Sequence, residues 1–301
     1  MIKTLQCLDC RAYTERSMNA VPTAILLLTC PDRQGIVARI AQFIYERGGN
    51  ILHADQHRDE AASLFLSRIE WQLTPSSDRQ HLQQDWQKIA QELGAVWQLY
   101  FSDDIPRLAI WVSKQDHCLL DLLWRWQAQE WLATIPLIVS NHQHLAAIAA
   151  RFNIDFHHIP ITPTNKKAQE ARQLALLKEY NIDLVVLAKY LQILTPEFIA
   201  QFPSIINIHH SFLPAFPGAN PYQRAHQRGV KIIGATAHYV TADLDEGPII
   251  EQDVERVSHR DEVPDLVRRG RDLERLVLAR AVRLHLQRRV LVYDNRTVVF
   301  S

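Results

Sequence analysis

The stretch "IDLVVLAKYLQILTPEFIAQFPSIINIHHSFLP", Ile182–Pro214, decides the fold class. "IDLVVLAKY" reads as a continuous apolar strand of the kind buried on both faces. "PEFIAQF" is a short helix and "SIINIHH" the next strand. The same alternation extends upstream. "RLAIWVS" and "TIPLIVSN" read as strands, and "HCLLDLLWRWQAQEW", "HQHLAAIAARFN" and "KKAQEARQLALLKEY" as helices. Strands alternating with helices predict a mostly parallel, Rossmann-like α/β sheet covered on both faces. Downstream lie a helix ("PYQRAHQRG"), a strand ("VKIIGATAHYV"), the turn "TADLDEGP" and a strand ("IIEQDVERV"). A long helix from about Asp261 to Arg289 and a hairpin ("VLVYDNRTVVFS") complete the chain.

The first hundred residues have another rhythm. "AILLLTC" is a strand, and "GIVARIAQFIYERGGN" spaces Ile36, Ile40, Phe43 and Ile44 at helical intervals before Gly48 and Gly49. "ILHADQHRD" and "LFLSRIEWQL" are strands, the second alternating apolar and polar residues. "DRQHLQQDWQKIAQELG" is a helix and "AVWQLYF" a strand. The order βαββαβ is the ferredoxin-like unit. The expected division is a disordered tail over 1–22, a small domain over 23–101, a linker over 102–107 and an α/β domain over 108–301.

Lys+Arg and Asp+Glu number 33 each, so the formal charge is zero, against the basic footprint of a nucleic-acid or anionic-membrane binder. No apolar run reaches the length of a membrane span, and the start lacks a signal-peptide core, so a cytoplasmic protein is expected. Cys7 and Cys10 form one CxxC with no partner pair at zinc-like spacing, and Cys118 sits in an apolar helix as core. No GxGxxG follows a strand and no GxxxxGK occurs, so the parallel sheet implies neither a dinucleotide nor ATP.

Asn207 and His209 are two apart in a strand, so their side chains share a face at its carboxyl end, where open α/β sheets bind ligands. An amide beside an imidazole can hold a polarised carbonyl oxygen. A capped strand end is the competing structural reading. His209 and His210, if both extended, point to opposite faces and cannot share an ion. No dense metal pattern accompanies either this doublet or His157–His158. Farther on, His238 lies in a strand and Asp245 in the turn bounded by Gly247 and Pro248. That carboxylate could close on the Asn/His strand end, or make only a local turn bond. Asp243 and Glu246 are read as solvated. The arginine-rich last helix interleaves acids and carries an apolar stripe of Leu266, Leu273, Leu276 and Val277, as for packing on the sheet.

At these residues the chain resembles a known family. "INIHHSFLPAFPGANPY", "GVKIIGATAHYVTADLDEGPIIEQDVERVSHRD" and "GRDLERLVLARAVRLHL" closely resemble formyltetrahydrofolate deformylases, and "LTCPDRQGIVARIAQFIYERGGNI" resembles their N-terminal ACT domain. The similarity runs from Thr23 to Ser301. It implies an ACT-like regulatory domain and a formyltransferase-type catalytic domain. It further implies 10-formyltetrahydrofolate as substrate, no metal, no other cofactor, and Asn207, His209 and Asp245 as catalytic residues. Substrate contacts are expected at Leu191, Gln192, Ile193 and Leu194, and at His210 and His238. An amino-acid effector is expected near Asp32, Gly35 and Asn50, with pairing between ACT-like domains giving a homo-oligomer. Hydrolysis is favoured over transfer to an amine because His210 replaces the proline of the transferases' N-I-H-P-S motif. A small-amine formyltransferase, or a non-catalytic folate or amino-acid-binding regulator, stays as an alternative. Gln223 and "SLFLSRIEW" depart from the family pattern.

Overall fold

A computed structural model of the chain describes residues 21–75, 77–214 and 221–300. The expected tail with Cys7, Cys10 and Met18 lies outside the described residues except for its last two positions. The centre of the proline-bearing segment after His210 lies outside them too. The chain divides into two compact units. One holds the described residues up to Ile105 with Arg288–Asp294 and the residues from Val298 on; the other holds Pro106–Gln287 and Asn295–Thr297.

The first unit is built as βαββαβ: β1 Thr23–Pro31, α1 Ile36–Glu46, β2 Asn50–Asp59, β3 Leu64–Gln72, α2 Arg79–Leu93 and β4 Val96–Phe101. The sheet order is β2-β3-β1-β4, and each hydrogen-bonded pair is antiparallel. Ile36, Ile40, Phe43 and Ile44 are the buried face of α1, as their spacing requires. Asp78 caps α2 by accepting the Gln80 and His81 amides, and Gly94 ends it in the left-handed conformation. Phe43 and Trp86 meet edge to face at 5.1 Å inside this core.

Alternation in β3 predicts one wet face, but Phe65 to Ile69 are all buried. The last residues of the chain explain this. Leu291 and Phe300, from the C-terminal hairpin, pack on Leu27 and Leu66, on the sheet face opposite the helices. Arg68 stays on that covered face by donating from Nε to the Arg288 carbonyl at 3.0 Å and pairing with Glu70 at 2.8 Å.

The second unit runs β5 Arg107–Val112, α3 His117–Gln127, β6 Thr134–Ser140, α4 Ala146–Arg151, β7 Asp155–His158, α5 Lys166–Glu179, β8 Leu184–Leu187, α6 Pro196–Gln201 and β9 Ile205–His209. It continues α7 Pro221–Arg228, β10 Ile232–Tyr239, β11 Ile249–Arg256 and α8 Val263–Leu286; in chain order the hairpin strands β12 Val290–Tyr293, in the first unit, and β13 Arg296–Val299 come next. The sheet order is β11-β10-β9-β8-β5-β6-β7. The five strands from β9 to β7 are mutually parallel, and β10 and β11 extend the sheet antiparallel. β8 is buried at every position, which matches its unbroken apolar sequence. β7, in "DFHHIPIT", is a strand that the sequence reading leaves unassigned. It is a short edge strand whose polar residues obscure the pattern. In α8 the buried stripe includes Leu266, Leu273 and Val277, whereas Leu276 is half-buried, and Gly270 and Glu274 lie on the buried face.

The chain order passes from β5 outward through β6 to β7, then returns to the other side of β5 for β8 and β9. Such a reversal opens a crevice outside the carboxyl ends of the strands. The functional residues gather there.

Candidate active site

β9 ends in the crevice with Asn207 and His209 on one face, because strand side chains alternate. β10 runs antiparallel beside it and sets His238 opposite Asn207 and Thr236 opposite His209. A register shift between Ala237 and His238 breaks the β10–β11 ladder, a bulge that re-aims His238 at the strand end. Its Nδ1–H donates to the Tyr239 carbonyl at 2.9 Å, leaving Nε2 to face the Asn207 amide nitrogen at 3.3 Å. The amide has two hydrogens, so one can be fixed by His238 while the other serves the cleft.

Asp245 reaches the same place from the turn between β10 and β11. It occupies the left-handed region at φ 58°, which aspartate tolerates better than most residues. Gly247 holds the turn down: a Cβ there would sit 1.8 Å from the Tyr239 carbonyl oxygen. The Asp245 carboxylate then lies 3.2 Å from His209 Nδ1 and 3.7 Å from His238 Nε2. The hydrogen bond from His209 chiefly holds its carboxyl well below the usual carboxylate range, against a smaller opposing effect of burial. It is therefore an anion wherever an ordinary carboxyl is ionised. His209 is 6 % exposed, and its Nε2 has no hydrogen-bond partner among the described residues.

The segment after β8 forms the opposite wall. Lys189 and Leu191 take positive φ values of 64° and 38°. Tyr190 is pinned between them: its ring packs on Trp111 at 5.3 Å and its carbonyl accepts from Ser113 Oγ at 3.0 Å. Leu191 and Ile193 stand 61 % and 62 % exposed, an apolar lip that a flat aromatic ring could cover. A cleft of about 420 Å³ contains Leu191, Gln192, Ile193, Leu194, Asn207, His209, His210, His238 and Asp245 in its lining. The structure thus brings together every residue expected at the catalytic and substrate positions. Asp243 and Glu246 are exposed, as read. Gln223 is exposed on α7 and is not among the residues lining this cleft.

Two sequence expectations need correction. β9 ends at His209, so His210 does not continue the alternation; its ring lies 4.7 Å from that of His209, with 20° between the planes. Asp32, Gly35 and Asn50 do not converge within one chain. β1 and β2 both run antiparallel to β3, and Asn50 pairs with Gln72 at one end while Pro31, just before Asp32, pairs with Leu64 at the other. Asp32 is instead engaged by Arg58 at 2.5 Å.

Behind the cleft stands a cluster that the sequence reading misses. Glu274, 2 % exposed, faces His117 Nε2 at 2.7 Å, Lys189 Nζ at 3.1 Å and the Tyr222 hydroxyl at 3.0 Å. Burial alone would raise its pKa, but the His117 hydrogen bond and the Lys189 charge outweigh it and leave the carboxyl at about 2. The available signal was a glutamate on the apolar stripe of α8. Gly270 belongs to the same device, since a Cβ there would lie 2.0 Å from the Tyr222 hydroxyl oxygen.

The formyl transferase family matches residues 106–282 and the ACT domain family residues 24–80. The chain belongs to the formyl transferase family. Within it, the chain is a member of the formyltetrahydrofolate deformylases. It is 70 % identical to the formyltetrahydrofolate deformylase of Synechocystis sp. over 280 residues, 93 % of this chain and 99 % of that one. It is 48 % identical to the Bacillus subtilis enzyme of that name, over 92 % and 93 % of the two chains. The crystal structure of a Pseudomonas syringae formyltetrahydrofolate deformylase superimposes with a TM-score of 0.91 at 42 % identity, covering 97 % of this chain and 99 % of that one. A Symbiobacterium toebii glycinamide ribonucleotide transformylase aligns less fully, with a TM-score of 0.63 at 31 % identity over 68 % of this chain and 98 % of its own.

The depressed value of Glu274 fixes the sign of a pH effect. Its folded pKa lies below the unfolded value of about 4.3, so its contribution to stability is complete above that pH and is lost as pH falls toward about 2. Glu274→Gln leaves the Lys189 ammonium uncompensated in a buried site, a cost of about 3–5 kcal/mol. Urea unfolding should show that deficit at neutral pH and show it closing as the pH is lowered through this window. A deficit that stays constant would contradict the assignment.

Proposed function

We propose that the chain hydrolyses 10-formyltetrahydrofolate to formate and tetrahydrofolate, with Asn207, His209 and Asp245 doing the chemistry. The observation that carries this reading is the cleft itself. An amide, an imidazole whose Nε2 has no partner among the described residues, and an ionised carboxylate meet at one strand end beside an apolar lip. The pterin lies against Leu191–Leu194, with the formyl carbonyl oxygen between the Asn207 amide and His209 Nε2–H. A water held by Asp245 attacks the formyl carbon, and charge develops on the carbonyl oxygen. Preorganised donors stabilise that charge far better than bulk water, because they need not reorient.

Asp245 serves His209 first. With its carboxyl held so low it is a weak base alone, and its main effect is to orient the imidazole that faces the oxyanion. The water's proton is passed on as the C–N bond breaks: N10 gains one hydrogen, and the carbon leaves as formate. No covalent enzyme intermediate is needed, and no nucleophilic side chain is called upon. The formate so released serves purine synthesis, and the reaction balances the one-carbon folate pool.

The first unit is read as an ACT-like regulatory domain for an amino-acid effector. With Asn50 at the far end of the sheet, the Asp32–Gly35 turn, where α1 begins, is the better supported part of that reading. β2 is an edge strand exposed at nearly every position, including Ile51 and Leu52, which supports pairing with a second copy. Light scattering on the purified chain should give more than one subunit; a monomer at all concentrations would contradict this.

The purified chain incubated with 10-formyltetrahydrofolate and no acceptor amine should release formate catalytically. Asp245→Asn should lower kcat by about 10²–10⁴. Turnover that appears only when an amine such as glycinamide ribonucleotide is added would point to transfer instead, and near-normal turnover in Asp245→Asn would remove the carboxylate from the mechanism.

A further inference from the structure

The His117, Lys189, Tyr222 and Glu274 cluster is not used by the reaction as derived above, yet it ends on the doublet. Lys189 Nζ lies 3.2 Å from His210 Nδ1 as well as 3.1 Å from Glu274 Oε1. An ammonium has only hydrogens to give, so the nitrogen it meets must accept. We infer that Lys189, locked by Glu274, holds His210 as the neutral tautomer protonated on Nε2, and that Lys189 and Glu274 are thereby positioning residues for His209.

Each part of the cluster has a reason in this reading. Lys189 is 5 % exposed and points its ammonium away from water only because Glu274 neutralises it. Glu274 is in turn held by His117 and by the Tyr222 hydroxyl, which reaches it over the bare backbone of Gly270. Thr236 fixes the chain that carries His210: its hydroxyl donates to the Ser211 carbonyl at 2.8 Å and accepts from the Leu213 amide at 3.0 Å. The His210 ring is thus set against His209 from one side and the Tyr222 ring, 6.3 Å away, from the other.

The charge balance follows. Among the described residues, the titratable groups facing His210 include Lys189, His209 and Tyr222; Glu274, His117 and Cys118 stand behind them, and Arg271 acts on Tyr222. Protonating His210 would set an N–H against the ammonium and a second imidazolium face to face with His209. Like charges at that distance disfavour each other's ionised forms. The ammonium therefore confines the doublet to one charge and leaves that charge to His209. His117, Cys118 and Glu274 also bring three ligand-type atoms within 4.8 Å of one another. The cation beside Glu274 is already Lys189, and burial pushes the Cys118 thiol well up, so the cluster reads as a charge network.

The tautomer is a property of the folded chain, whereas its effect on turnover rests on the role proposed above for His209. The test is long-range ¹H–¹⁵N spectroscopy of the full chain labelled at histidine, with the His210 signals assigned through His210→Gln. Over about pH 5–8, where imidazoles ordinarily titrate, His210 should stay in the Nε2–H form without titrating. In Lys189→Met it should titrate; kcat should fall about tenfold with KM nearly unchanged, and the pH–rate profile should gain an ionisation. An Nδ1–H tautomer, or a titrating His210 in the unaltered chain, would overturn the inference without any variant. An unchanged pH–rate profile in Lys189→Met would overturn the positioning role. If the unaltered chain released no formate, the spectra would still decide the tautomer.

Discussion

The contact between His209 Nδ1 and the Asp245 carboxylate, 3.2 Å, is the constraint on which the rest of the site depends. It ties the end of a parallel strand to a turn between two antiparallel ones. It cannot form unless β10 and β11 are added to the sheet beside β9, unless the bulge at His238 lets that strand end turn inward, and unless Gly247 lets the turn close on Tyr239. The hydrogen bond from His209 offsets the cost of the carboxylate's half-buried place, and it also makes Asp245 a poor free base.

A second layer of charge lies beneath that contact. Glu274 and Lys189 are both almost wholly removed from water, and neither alone would remain ionised there. Together with His117 and Tyr222 they form a closed set in which every formal charge has an opposite neighbour. The apolar core of the unit, with Trp111 packed on Tyr190 and Phe198, holds the backbone that presents Lys189 in an unusual conformation. Packing and chemistry meet in that short segment after β8.

Much of this is legible in the sequence. An unbroken apolar run gives β8, and its neighbours give the parallel sheet. Residue alternation alone places Asn207 and His209 on one face, and the Gly247–Pro248 turn marks Asp245. What stayed hidden depends on distances that sequence does not encode. Nothing in "LAKYLQIL" announces that Lys189 takes a positive φ and turns inward, and Glu274, although it lies on the apolar stripe of α8, has no partner that the sequence could name. His210 misleads by adjacency, since it is read as a strand residue although the strand has ended. Asn50 misleads in the opposite way: it is near Gly35 in sequence, but a helix running the length of the sheet separates them. β3 seemed half-exposed because the hairpin that covers it comes from the other end of the chain.

The central claim is that His209 and Asp245 act as one unit on the oxyanion side of the reaction. The direct measurement is a double-mutant cycle on kcat/KM for formate release with His209→Ala, Asp245→Asn and both together. Residues that work as a unit are strongly non-additive, so the double variant should be about as slow as the slower single one. Losses that simply multiply would show two independent contributions and contradict the account.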